Sequence, residues 1–533
     1  MNTKYSNIVS IIAMLLATGF AAIAQTANYG NTDFPNSGAA AAQPPFLKGL
    51  LALHSFEYED AQEAFQAAEK IDPDFAMAYW GEAMSYNHPI WMQQDTDAAR
   101  AALEKLGKTA EMRLAKAPTE REKDYLRTAD VLFFSKGDKE TRDFAFEKSM
   151  AALAAKYPDD LDAATLHALS ILGTCHDGRD FRRYMKAAAI AEEVFAKNPN
   201  HPGAAHYMIH SYDDPIHAPL GLRPARVYAK IAPAAAHALH MPSHIFFALG
   251  MWDEVSASNE DSYAAVKARA DRRGEPLNGH GYHALGWLEY SYLQQGRFAD
   301  AKKLLKKNTM HQQAFGKTNR AKNHAIFTHT TFINETQNWD ERLLLPKFKS
   351  GQKSDRTAAR YWFTKGRIFL KNNRLADAEK ALDHLAEIAV DQPDDRALNA
   401  LHLELMALIA LQKDDATQAL QHLKAATELE DKLPLSFGPP WPLKPTHELY
   451  GEVLLQLNRP AEAAAQFQKA LDRAPRRSLS LLGLARAALQ AGDFQSARAA
   501  AGELQKSWHN ADTNLKALPE IQAILKRTNG NSE

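Results

Sequence analysis

Apolar and small residues recur along most of this chain at the spacing of one helical face, in pairs of segments separated by short polar turns. Between Gly49 and Pro73 this pattern contains the small residues Ala61 and Ala68 and the aromatic Phe65. Small residues at these positions let two antiparallel helices approach closely, and the proline ends the unit. Alternating runs of β-branched and aromatic residues, which are typical of strands, are not found. The pattern therefore predicts an all-α chain built from helix pairs.

The same spacing returns near the C-terminus. Gly451, Ala463, Phe467, Ala470 and Pro475 repeat it in full. Less regular apolar patterns, interrupted by proline or glycine, predict further helices at 96–116, 119–136, 139–156, 160–174, 219–232 and 234–249. Residues 511–527 are expected to form a terminal helix that covers the last apolar face of the array.

These breaks divide the chain into segments with different expected roles. The predicted plan is a signal peptide at 1–24, a flexible linker at 25–44, an N-terminal divergent helical array at 45–345, a soft boundary at 346–357 and a C-terminal array at 358–527. A histidine-rich stretch covers 201–283, and an insertion rich in proline and tryptophan covers 437–445.

Four of the regular segments resemble the tetratricopeptide repeat (TPR) superfamily: Gly49 to Pro73, His280 to Asn308, Trp362 to Leu385 and Gly451 to Pro475. The resemblance implies a right-handed α-solenoid of antiparallel helix pairs, in one or two arrays. The chain also resembles a group of exported bacterial repeat proteins without established activity. A repeat scaffold can serve many roles, so the function has to be argued from the site.

Two copies of the pattern His-x-x-x-His stand out between His201 and His244. They are His206/His210 and His240/His244, and the second copy follows the first by 34 residues, which is the length of one TPR unit. Residues four apart lie one above the other on a helix. We therefore expect two vertical imidazole pairs on equivalent helices of successive repeats, facing the concave groove.

Four converging imidazoles would suit zinc, copper or iron, all of which accept nitrogen ligands. The nearby histidines His237, His217, His280 and His283 are weaker candidates for further ligands. Asp213 and Asp214 could fix an imidazole tautomer by accepting its other ring N–H. Pro242 lies inside the second motif and should disturb the stacking of His240 on His244.

Other interpretations of the histidines remain open. Duplication of a repeat copies its residues whether or not they bind anything, although imidazole is not a usual core filler. No glutamate stands between the paired histidines, so the His-Glu-x-x-His pattern of zinc peptidases is not met. No catalytic residue is assigned, and any activity is expected to be metal-dependent.

Charge and composition exclude some partners. Lys and Arg number 63 against 64 Asp and Glu, so the chain lacks the basic excess of a nucleic-acid-binding protein. The single cysteine, Cys175, rules out an intramolecular disulfide. The N-terminal segment has Lys4, an apolar run and a small-x-small site ending at Ala24, which predicts export to the periplasm or beyond, without a membrane anchor.

Two functions fit these features. The first is an exported scaffold that binds a protein or peptide partner in the concave groove. The second is a metalloprotein in which His206, His210, His240 and His244 hold an ion with open coordination toward the groove.

Overall fold

A computed structural model describes residues 29–315, 319–344, 356–435 and 437–529. The predicted signal peptide and most of the predicted boundary at 346–357 lie outside these residues. Two compact units contain the described residues. Unit 1 comprises residues up to 213 together with 220–245, and unit 2 comprises 214–219 and residues from 246 onward.

The helices that lie mainly in unit 1 follow one another with short turns. Their bounds are α1 Gln43–His54, α2 Tyr58–Ile71, α3 Ala76–Met84, α4 Thr96–Leu106, α5 Ala110–Lys116, α6 Glu120–Phe134, α7 Lys139–Lys156, α8 Leu161–Leu172, α9 Phe181–Lys197, α10 Pro202–Tyr212, α11 Ala218–Ile231, α12 Ala236–His240 and α13 Pro242–Ala248. Short strands β1 (Asn87–His88) and β2 (Gln93–Gln94) pair antiparallel between α3 and α4.

Unit 2 continues with longer helices. They are α14 Trp252–Arg273, α15 Gly279–Gln294, α16 Phe298–Phe315, α17 Asn319–Thr336, α18 Arg356–Lys371, α19 Leu375–Asp391, α20 Arg396–Gln412, α21 Ala416–Glu430, α22 Thr446–Gln456, α23 Pro460–Arg473, α24 Ser478–Ala491, α25 Phe494–Ser507 and α26 Ala517–Asn529. Short 3₁₀ turns lie at Ala40–Ala42, Pro89–Trp91 and Glu341–Leu343. From α18 to α26, each helix packs on the next one along the chain. The predicted all-α fold of antiparallel helix pairs is confirmed.

The small and aromatic residues of the repeat pattern explain why the helices pair. In unit 1 a Cβ added at Gly49 would lie 2.8 Å from the Phe65 ring, and one at Gly81 would lie 2.3 Å from it. In unit 2 the corresponding distances to the Phe467 ring are 2.9 Å from Gly451 and 2.2 Å from Gly483. One aromatic ring therefore fills the space that two glycines leave on the helices before and after it, in both units.

Helix lengths are mostly as the pattern predicts, with two exceptions. The predicted helix 96–116 is two helices, because the chain is extended at Gly107 between α4 and α5. The predicted helix 234–249 is also two, since α12 ends at His240 and α13 begins at Pro242, whose ring cannot donate a helical hydrogen bond. The expected terminal helix is α26, which packs on α25.

The described part of the expected flexible linker is packed. Phe34 is 3% exposed, and its ring lies 5.4 Å from Phe46, 6.0 Å from Trp80 and 5.2 Å from Tyr125. Arg121 covers the same ring at 4.2 Å. The Phe34 side chain thus helps to anchor a segment whose composition suggested a linker.

Unit 2 contains a buried ionic network. Arg477, only 1% exposed, donates to Glu448 at 2.7 Å and to Glu335 at 2.8 Å. Lys444 of the proline-rich insertion also donates to Glu448, at 2.6 Å. Burial lowers the pKa of Arg477, but Glu335 and Glu448 outweigh it, so the net shift is upward. Among the described residues, no helix is both long and apolar enough to cross a membrane.

Candidate metal centre

The first predicted histidine pair lies on α10. Pro202 occupies the first turn, and His201 caps the helix by accepting the backbone N–H of Ala204 at Nδ1. Four residues apart on this helix, His206 and His210 bring their Nε2 atoms to 3.1 Å. The predicted vertical stacking is present.

A backbone contact fixes the tautomer of His206. Its Nδ1 lies 2.8 Å from the carbonyl oxygen of His54, which can only accept a hydrogen bond. Nδ1 of His206 therefore carries the proton, and in the neutral ring Nε2 carries the lone pair. His210 Nε2 then donates to that lone pair. A metal-ligating histidine is usually held in the same way, by a hydrogen bond from its other ring nitrogen.

The second pair keeps the same geometry although a helix break separates its members. His240 ends α12 and His244 lies in α13, yet their Nε2 atoms are 3.0 Å apart. His244 Nδ1 donates to Asp213 Oδ2 at 2.6 Å, which leaves its Nε2 as the acceptor. The expected disturbance by Pro242 affects the helix but not the pair.

His237 joins the two pairs into one cluster. Its ring lies 5.0 Å from that of His206 and 6.2 Å from that of His240. One nitrogen each from His206, His210 and His237 lies within 4.8 Å of the others. Between the original pairs, the ring centroids of His210 and His244 lie 6.0 Å apart. Unit 1 thus gathers five of the eight histidines that the sequence suggested.

The cluster is enclosed. His206 is 0% and His210 8% exposed, and the other three rings lie between these values. The expected open position toward a groove is therefore not seen in unit 1. Burial, together with His206, His244 and Arg179, holds the pKa of His210 well below its ordinary value. A neutral imidazole at physiological pH is the form that binds a metal.

Phe56 packs against three imidazole rings of this cluster. Its ring centroid lies 4.3 Å from His206 and 5.7 Å from both His210 and His237. The residue follows the end of α1 with φ of 56°, in the left-handed region that a bulky side chain rarely adopts. The next residue, Glu57, donates its N–H to the carbonyl of Ala52, which closes the helix end.

Other helix ends of the same type use smaller residues. Asn373, Asp414 and Asn458 have φ between 57° and 60°, and the residue after each one bonds back in the same way. Asparagine and aspartate tolerate this conformation better than an aromatic residue does. Phe56 is the one aromatic at positive φ among the described residues.

Sequence reasoning missed a second buried group behind His206. His54 Nε2 donates to Asp162 Oδ1 at 2.8 Å, while its Nδ1 lies 3.1 Å from the Tyr207 hydroxyl. His201 Nε2 lies 3.4 Å from the same carboxylate oxygen, and Thr32 donates to the other oxygen at 2.6 Å. Burial opposes ionisation of Asp162, but the two histidines hold its pKa below the ordinary value.

This second group is not free to bind an ion. The remaining nitrogen of His54 faces a hydroxyl, and that of His201 accepts the N–H of Ala204. Both lone pairs are in use, so the group is a closed network that fixes His54, whose carbonyl orients His206. No local pattern in the sequence indicates this group, because the partners of His54 lie 108 and 153 residues away.

The remaining candidates belong to unit 2. His217 Nδ1 donates to Asp214 at 2.9 Å, so Asp214 orients this ring as Asp213 orients His244. His280 and His283 lie in the first turns of α15; His283 is exposed, and its ring is 5.3 Å from Trp287.

Several solved structures are distantly similar to the chain. A tetratricopeptide repeat protein from Parabacteroides merdae is 13% identical over 55% of this chain and 98% of that one, with a TM-score of 0.31. Yeast Tom70 is 14% identical over 91% and 89% of the two chains, with a TM-score of 0.30. Pseudomonas aeruginosa PilF is 18% identical over 45% and 96%, with a TM-score of 0.24. At these scores the similarities support no argument about function.

No curated protein matches the chain significantly. Residues 451–511 match the family model described as tetratricopeptide repeat. They cover most of α22 and all of α23–α25, where Phe467 packs between Gly451 and Gly483. Phe65 repeats this packing between Gly49 and Gly81 near the N-terminus. Residues 451–511 thus match the tetratricopeptide repeat in sequence, and the same aromatic–glycine packing recurs near the N-terminus.

Proposed function

We propose that the protein binds a transition-metal ion in unit 1 through His206, His210 and His237. The observation that carries the proposal is the fixed tautomer of His206, whose Nε2 lone pair points at a second imidazole nitrogen 3.1 Å away. At metal–nitrogen bonds of ~2.0–2.1 Å, two ligands in a tetrahedral site are about 3.4 Å apart. The pair is therefore close to a binding arrangement without an ion.

The donor set selects the class of metal. Neutral imidazoles suit zinc, copper and iron(II), whereas magnesium and calcium require oxygen ligands. Three imidazoles would leave a coordination position for a further ligand or for a reacting molecule. The enclosed site favours tight retention of the ion. Any activity would be metal-dependent.

Metal analysis tests this proposal. We expect the purified full chain to contain zinc, copper or iron, or to take up Co²⁺ with the visible bands of nitrogen ligation, and we expect His206→Ala and His210→Ala to weaken binding at least tenfold. His402→Ala, in unit 2, is the matched histidine control. Failure of the native chain to bind any of these ions after reconstitution would reject the proposal.

We propose a partner-binding scaffold as a second function of the same chain. Tetratricopeptide repeats present extended surfaces that commonly bind proteins, and the repeat match at 451–511 supports this. In unit 2, Phe437 at 56% and Val390 at 78% are large apolar side chains exposed to solvent. We expect a protein or peptide ligand to bind in the concave groove of the repeat array.

A photo-crosslinking amino acid placed at Phe437 tests the scaffold. We expect a discrete crosslinked protein in extracts of the native cell, and none from the same probe at Lys469, an exposed position. Equal crosslinking at both positions would contradict a specific surface. Metal content should be unchanged in either case.

We also propose that the chain is exported. The support is the N-terminal pattern that ends at Ala24. Cell fractionation followed by N-terminal sequencing should find the mature chain outside the cytoplasm and beginning at Gln25. A cytoplasmic chain that retains residues 1–24 would contradict export.

A further inference from the structure

The two imidazole pairs, His206/His210 and His240/His244, have the same internal geometry. The arrangement that favours an ion at the first pair is therefore present at the second pair as well. We propose that His240 and His244 bind a second transition-metal ion beside the first, so that unit 1 holds a two-metal centre. The proposal rests on the metal-binding function proposed above. It assigns the second pair its own ion rather than a supporting position around the first.

Distances within and between the pairs favour two ions. The ring centroids are 4.8 Å apart in His206/His210 and 4.9 Å apart in His240/His244. The rings that face each other across the pairs are 6.0 Å apart, from His210 to His244, and 6.2 Å apart, from His237 to His240. The two rings within each pair are closer together than these facing rings of different sites, as two neighbouring ions would require.

Each pair also contains one imidazole whose tautomer is fixed from outside. The carbonyl of His54 holds Nδ1–H of His206, and the carboxylate of Asp213 holds Nδ1–H of His244. In both rings the Nε2 lone pair is directed at the partner histidine. A carboxylate that orients a histidine in this way also raises its basicity as a ligand.

Duplication of a repeat unit does not by itself explain the second pair, because a helix break separates its two histidines. His206 and His210 stack because they share one regular helix, whereas His240 and His244 lie on either side of the boundary at Pro242. Their Nε2 separation nevertheless differs from that of the first pair by only 0.1 Å, at 3.0 Å against 3.1 Å. The contact is thus reached by a different backbone path.

Two buried carboxyl groups could balance the added charge. Glu57, 7% exposed, accepts the backbone N–H of His237 at 2.9 Å, beside the first site. Asp213, 3% exposed, contacts His244 in the second. Among the described residues, no donor reaches the other oxygen of Asp213. Buried cations need such compensation, because desolvation is costly.

Metal stoichiometry decides between one ion and two. We expect Co²⁺ titration of the metal-free full chain to saturate at two equivalents, and at one equivalent in both His206→Gln and His244→Gln, with the His402→Ala control unchanged. Saturation of the native chain at one equivalent, lost in either variant, would overturn the second ion and leave the first. Saturation at none would overturn both proposals.

A measurement on the native chain alone avoids any effect of substitution on folding. Two Cu²⁺ ions at adjacent sites should show spin–spin coupling in the electron paramagnetic resonance spectrum, with a half-field transition that appears only as the second equivalent is added. A fully loaded chain that gives only the spectrum of isolated Cu²⁺ would contradict the two-metal centre.

Discussion

At the scale of single residues, Phe56 shows how the cluster shapes its surroundings. A bulky residue at positive φ costs about 1–2 kcal/mol relative to a residue that tolerates this conformation. Asn373 and Asn458 occupy the same kind of helix end without that cost. Phe56 is 0% exposed and contacts three imidazoles, so the ring is retained for its packing.

The substitution Phe56→Asn separates the backbone strain at this position from the packing of the ring. Loss of a buried phenylalanine ring costs about 3–5 kcal/mol, which exceeds the relief of backbone strain. We therefore expect the variant to be less stable by about 2 kcal/mol in chemical unfolding, and to bind Co²⁺ more weakly with altered visible bands because water reaches the imidazoles. Asn458→Gly is the control for a helix end without the ring. A Phe56→Asn variant more stable than the native chain would show that the ring contributes little.

The sequence indicated the clustered histidines better than the residues that hold them in place. His206, His210, His240 and His244 were recognisable because their spacing is local and repeated at 34 residues. The contact from His54 to His206 joins residues 152 apart, and no local pattern indicates it. Whether these residues bind metal remains a prediction.

At the scale of elements, local rules predicted most helices. Lys139–Lys156 has the predicted bounds, and its N-terminus is capped by Asp138, which accepts the N–H of Thr141. The error at Gly107 arose where an apolar pattern continues through a break in the backbone, whereas a break at Pro242 was expected from the proline. Periodicity records which face is buried, not whether the helix is continuous.

The contact between α2 and α3 contains a carboxyl pair with a measurable pH dependence. Burial, followed by the hydrogen bond and charge of Glu82, raises the pKa of Glu69, and Lys105 only partly opposes this. An acid with a raised pKa in the folded state contributes most to stability below its ordinary pKa. That contribution is lost as the pH rises toward the raised value.

Glu69→Gln should therefore stabilise the protein more at higher pH. We expect the free energy of unfolding of the variant, relative to the native chain, to rise by about 1–3 kcal/mol between pH 4 and pH 8. The measurement is chemical unfolding at a series of pH values. Glu104→Gln, on the exposed surface, should show no such trend. A difference that falls with pH would mean that the ion pair with Lys105 dominates.

At the scale of the whole molecule, the two units have different interiors. Unit 1 buries a histidine cluster, whereas unit 2 buries Arg477 with Glu335 and Glu448. The partners of Arg477 lie 29 and 142 residues away in the sequence, so composition and periodicity could not reveal the network. The repeat pattern specified which helices pair, but not which charges meet.

Arg477→Met should destabilise unit 2 selectively. Removing Arg477 leaves Glu335 without its charged partner and Glu448 with Lys444 alone, and the loss of a buried ion-pair partner costs about 3–5 kcal/mol. We expect the unfolding transition of unit 2 to move to lower denaturant while Co²⁺ binding in unit 1 is retained. Addition of Glu448→Gln should recover part of the loss. Loss of Co²⁺ binding together with the unit 2 transition would show that the chain unfolds as one cooperative block.

The hydrogen bond from His206 to the carbonyl of His54 has a consequence for how the protein tolerates trimming. Helix α1, the first α-helix of the described residues, contributes no imidazole to the cluster, yet it supplies the acceptor that sets which nitrogen of His206 faces inward. Proteolysis or a truncation that removes α1 would leave every candidate ligand in the chain. The damage would appear as a loss of metal selectivity and uptake rate in a protein that retains most of its helical content.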